Sequence, residues 1–124
     1  MNPKTSELLD RTFKFGVEMM IFLDSLPYKP VFSVAVKQLA RCSTSIGANY
    51  EEAQAAESKK DVIHKIGIVS KESRETVYWL KILNRLYAEP NFSDVFNQKI
   101  NEAIELSKIF TSIKLSSQQN TIKN

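Results

Sequence analysis

Residues 58–88 read SKKDVIHKIGIVSKESRETVYWLKILNRLYA, and within them Val62, Ile66, Val69, Ser73, Thr76, Leu80, Leu83 and Tyr87 fall at alternating spacings of four and three. An α-helix completes a turn in about 3.6 residues, so this pattern lines one helical face. Ser58 stands where a hydroxyl can cap the first turn, and Asp61 adds an acidic residue there. Pro90 and Asn91 end the run after Ala88. The spacing therefore predicts a helix of about 30 residues, close to 45 Å long. Such a helix is stable only if other helices cover its apolar face.

Working outward, the same period recurs. A first helix is predicted from a Thr5 or Ser6 cap to about Leu26, with Leu9, Phe13, Val17, Met20 and Leu23 as its stripe. Pro27 and Pro30 break it. A second helix follows to about Ala56, its face traced by Val34, Gln38/Leu39, Cys42, Ser45/Ile46, Asn49 and Ala53. Gly47 costs this helix about 1 kcal/mol relative to alanine. The close approach of a helix or an aromatic ring would offset it. A fourth helix is predicted from a Ser93 cap, with Val95 or Phe96, Ile100, Ile104, Ser107/Lys108 and Phe110/Thr111 along its stripe. No strand alternation or repeat interrupts this pattern. The expected fold is all-α, an antiparallel up-down-up-down four-helix bundle over residues 1–115, with 116–124 a polar, disordered tail.

The chain has 124 residues, room for one core. Its single cysteine, Cys42, cannot form an intrachain disulfide, and the N-terminal stretch lacks the apolar run of a signal peptide. The longest apolar run, from Met19 to Leu23, is too short for a bilayer. A cytoplasmic protein without membrane contact is expected. The net charge of +3 is unevenly spread: residues 1–58 carry six Lys/Arg against seven Asp/Glu, and residues 59–124 eleven against seven.

Catalytic constellations are absent from the pattern. Asp61 and His64 have helical metal-ligand spacing, and Glu51, Glu52, Glu72 and Glu75 supply carboxylates. A di-metal bundle needs two Glu-x-x-His motifs, however, and this chain has one histidine and neither motif. Cys42 lies among apolar residues, where a thiol is inert. Ser43, Ser45, Ser70 and Ser73 have no His/Asp partnership, and Gly16, Gly47 and Gly67 all sit inside helical patterns rather than in a phosphate loop. No enzyme activity, metal or cofactor is expected. A polar stripe, Ser45, Asn49 and Glu52, faces the prospect of pairing with Lys71, Glu72, Arg74 and Glu75, either within the bundle or at a subunit interface. Lys37, Arg41, Lys59, Lys60 and Lys65 lie off the predicted apolar stripes and are the candidate nucleic-acid contacts. Tyr78 and Trp79 could stack bases, but core or interface packing is the simpler role.

Two long motifs point further. Residues 44–54, TSIGANYEEAQ, together with Ser58-Lys59-Lys60-Asp61 and residues 71–80, KESRETVYWL, resemble the signatures of the 23S rRNA intervening-sequence protein family; with Phe13-Lys14-Phe15 the likeness spans about residues 5–115. Tyr50 departs from the smaller aliphatic residue expected there. The resemblance implies a four-helix bundle assembled as a homopentamer. It also implies kinship with the nucleic-acid-binding accessory proteins of diversity-generating retroelements. The expected function is a non-enzymatic oligomeric binding protein that takes RNA or DNA on basic helix faces. The alternative is a scaffold that recruits a protein partner and no nucleic acid.

Overall fold

Pro3, Pro27, Pro30 and Pro90 all stand at helix boundaries, because a residue without an amide proton is tolerated only where no intrahelical bond is due. The computed structural model describes residues 1–123, with side chains as far as Asn120. Its helices are α1 (Pro3–Ser25), α2 (Ser33–Gln54), α3 (Lys59–Leu86) and α4 (Pro90–Lys123), and no strand occurs among the described residues. The α3 cap is the expected one, Ser58 Oγ accepting from the Asp61 amide at 3.1 Å. At α1 the cap is Asn2, whose Oδ1 accepts from the Lys4 amide at 2.8 Å, and not Thr5 or Ser6. Pro3 explains the earlier start, since its fixed φ already suits a first helical position. Pro90 likewise opens α4 ahead of Ser93, and the Glu89 carbonyl accepts from the amides of Phe92 and Ser93.

The polar end, residues 116–124, differs from the expected disordered tail: α4 continues as helix to Lys123. No glycine or proline follows Pro90, so nothing in the backbone chemistry stops the helix. Asn124 lies outside the described residues.

Helices adjacent in sequence pack on one another, α1 on α2, α2 on α3 and α3 on α4. The Phe22 and Phe96 rings meet edge to face at 4.8 Å between centroids, joining α1 to α4. The core holds Met19, Leu39, Ile46, Val69, Leu80, Leu83, Phe96, Leu106 and Phe110, with Tyr50 edge-on to Phe110 at 5.0 Å. On α3 the expected face from Ile66 to Tyr87 is buried, with Val62 half-buried.

On α1 the expected stripe is displaced. Thr12, Phe15, Gly16, Met19, Phe22 and Leu23 are buried, whereas Phe13 is 73% exposed and Val17 and Met20 also face outward. Thr12 can occupy the core because its hydroxyl donates to the carbonyls of Leu8 and Leu9. Gly16 lets the α2 backbone approach at Thr44. Similarly Val34 is exposed and Ala35 buried on α2, and α4 buries Ala103 and Leu106 while Ile100 and Ile104 are half-buried.

Gly47 sits where its cost predicted a close neighbour. A Cβ there would lie 3.3 Å from the carbonyl carbon and oxygen of Thr12, so the neighbour is the α1 backbone and not a ring.

Candidate nucleic-acid interface

The side chains expected to contact nucleic acid do not form one patch. Arg41 reaches across from α2 to α3, its Nη1 3.2 Å from Glu72 Oε2 and its Nη2 bound to Glu75. Lys65 is paired with Glu52. Those two cations are neutralised by carboxylates of the same chain and offer a polyanion little. Lys37, Lys59 and Lys60 are exposed, the first on α2 and the others at the start of α3.

The polar stripe resolves into the α2–α3 junction. Asn49 Nδ2 donates to the Ser45 carbonyl and hydroxyl at 2.9 and 2.8 Å, within α2. Glu52 crosses to Lys65, and Arg41 crosses to Glu72 and Glu75. Glu72 is nearly buried, and Trp79 Nε1 donates to Glu75 at 3.2 Å. Beneath them Thr76 donates to the Glu72 carbonyl at 2.8 Å and approaches Cys42 Sγ at 3.3 Å. Burial pushes the Cys42 thiol up to about 11, despite its contact with Thr76. A thiol held protonated and out of solvent has no nucleophilic role. Among the described residues no three His, Cys, Asp or Glu side chains gather to hold a metal, and His64 is exposed.

Lys71 and Arg74, expected in that network, are excluded from it. They belong to the solvent-facing side of α3, turned away from the core. Lys60, His64, Gly67, Lys71, Arg74, Tyr78, Lys81 and Arg85 recur at spacings of four and three, and all are exposed except the half-exposed Gly67. At 100° per residue they fall within an arc of about 100° and extend for about 38 Å. No carboxylate interrupts this seam. Asp61, Glu72 and Glu75 lie to its α2 side, and Glu72 and Glu75 are held there by Arg41. None of the seam cations has an ion-pair partner among the described residues. Tyr78 stands in its middle, 56% exposed, with its ring edge-on to Trp79 at 5.0 Å between centroids.

The seam was legible in principle. It is the complement of the apolar stripe on α3, displaced by half a turn, and carries the same four-three period in charge. In the sequence Asp61, Glu72 and Glu75 are interspersed with these cations and obscure it.

A second surface lies on α1. Phe13, Val17, Met20 and Ile21 form an outward apolar stripe, Ile21 being 66% exposed. It borders a groove of about 560 Å³ between α1 and α2, lined by Leu9, Phe13, Gly16, Val17, Gly47 and Ala48 among others.

Residues 4–112 match the family model described as 23S rRNA-intervening sequence protein. The fold is also similar to the crystal structure of a protein of unknown function from the S23 ribosomal protein family of Bacteroides thetaiotaomicron. That protein is 32% identical, with a TM-score of 0.77, and the match covers 90% of this chain and 97% of the other. No curated protein matches the chain.

Proposed function

The chain belongs to the 23S rRNA-intervening sequence protein family, and on that premise we propose that it is a non-enzymatic, self-associating cytoplasmic protein that binds RNA or DNA. The observation that carries this reading is the unpaired cationic seam from Lys60 to Arg85. Cations aligned without counter-charges repel one another, and a polyanion relieves that repulsion while releasing its own condensed ions. The exposed apolar stripe of α1 supports self-association, since contiguous apolar surface of this kind marks an interaction site. The resemblance implies five copies. A fivefold assembly would repeat the seam, and linked weak sites gain avidity without new contacts.

Within each copy we read the helix order as an antiparallel up-down-up-down bundle. Opposed runs of contacts support it: positions 12 and 16 lie by 47 and 44, Arg41 and Glu52 reach Glu72 and Lys65, and Ser70 and Asn84 reach Thr111 and Asn97.

The test is binding to mixed-sequence RNA and DNA between about 50 and 200 mM salt. The intact protein should bind at the lower concentration and lose affinity steeply with salt. Changing Lys71→Glu and Arg74→Glu together should weaken binding to all sequences and reduce the logarithmic salt slope by about two. If the intact oligomer binds neither nucleic acid at low salt, this proposal fails and the protein-scaffold reading replaces it.

A further inference from the structure

We propose that the α3 seam takes single-stranded rather than duplex nucleic acid, with Tyr78 as a stacking platform; this deepens the nucleic-acid reading above and rests on it. The geometry begins with the flanks of the seam. The α2 and α4 helices pack on either side of α3. They fall back from its outer face, because the Phe22–Phe96 contact and the Arg11–Glu102 pair close α1 onto α4 behind it. A duplex backbone winds through a full turn in about 34–36 Å, so a duplex would meet the straight seam only where its curving backbones cross.

A single strand can follow the line instead. Tyr78 lies four residues after Arg74 and three before Lys81, which places the neighbouring cations about 6 and 4.5 Å away along the helix axis. A base resting on the Tyr78 ring would thus bring its flanking phosphates between Arg74 on one side and Lys81 and Arg85 on the other. The ring is more than half exposed and its hydroxyl has no partner among the described residues. It leans on Trp79, whose indole nitrogen is held by Glu75, which is in turn held by Arg41. The α2–α3 network therefore steadies the platform from below. An aromatic face between cations is the combination that binds unstacked bases without sequence preference. In a duplex the bases are already stacked and the ring gains nothing.

The experiment uses the full chain and a labelled mixed-sequence oligonucleotide of about 12 nucleotides, within the range of single-strand site sizes. It is offered single-stranded and as a duplex, and anisotropy is read at several salt concentrations. Single-strand binding should be at least about tenfold tighter than duplex binding at equal salt. Tyr78→Ala should cut single-strand affinity about tenfold or more, leave duplex binding unchanged and leave the salt slope unchanged, because stacking releases no counterions. Tyr78→Phe should restore binding. Helicity and oligomeric mass are checked for each variant. Equal affinity for both forms overturns the inference, as does an inert Tyr78→Ala variant. If in either case Lys71→Glu with Arg74→Glu still weakens binding, the broader nucleic-acid reading survives. Absence of binding to either form removes both.

Discussion

Gly47 and Cys42 show how single positions in α2 are held by their neighbours. A side chain at Gly47 has to displace the backbone of α1 at Thr12, and a helix backbone packed on both ends does not give easily. Gly47→Leu should therefore destabilise the protein by roughly 1–3 kcal/mol, visible as a lower Tm; an unchanged Tm would mean that α1 can swing away. Cys42 makes a second prediction, on the alkaline side. Its thiol is raised by burial from 9.0 to about 11 in the folded chain, so between those values the unfolded chain loses a proton that the folded chain keeps. Stability should fall as pH rises through that window, by an amount on the order of 2–3 kcal/mol attributable to this residue. Comparing unfolding of the native chain and Cys42→Ala at pH 8 and 11 checks it, the variant showing the shallower loss. Gly47 was legible as a close-approach position because its propensity cost demanded a reason. Which element approaches was not, since that depends on how α1 is rotated.

The α2–α3 junction contrasts two kinds of ion pair. Arg41 serves a nearly buried carboxylate, Glu72, as well as Glu75. Lys65 serves Glu52, whose side chain is 60% exposed. Removing the first cation strands a poorly solvated charge, and removing the second frees a hydrated one. Arg41→Ala should cost about 1–3 kcal/mol in urea unfolding and Lys65→Ala no more than about 1 kcal/mol. Equal losses would indicate that Glu72 is solvated or finds another donor. Helix existence and order could be read from proline placement and periodicity, because both act locally. The buried stripe of α1 could not. That helix has apolar residues on two faces, Phe15/Met19/Phe22 and Phe13/Val17/Met20, and both fit a helical period.

At the scale of the whole molecule, the second α1 face is the feature a monomer does not explain. Phe13, Val17, Met20 and Ile21 remain in contact with water in a chain whose core is already filled. If copies associate there, Phe13→Glu with Ile21→Glu should reduce the mass measured by light scattering to that of a monomer while leaving helicity intact. The same variant should bind nucleic acid more weakly, because the avidity of repeated seams is lost although each seam is unchanged. A variant of unaltered mass would show that this stripe is not the assembly contact.

By itself the sequence determined an all-helical chain with four segments, the Ser58 cap, the buried face of α3 and the family, because caps, breakers and a single unambiguous apolar stripe act over a few residues. Tertiary structure alone decided which of two apolar faces α1 buries and which cations are consumed by neighbouring carboxylates. Those outcomes depend on partners far apart in the chain: Arg41 is neutral in effect because Glu72 and Glu75 lie across a helix junction. Lys71, Arg74, Lys81 and Arg85 stay available because Glu72 and Glu75 are drawn toward Arg41 and no other acid among the described residues pairs with them.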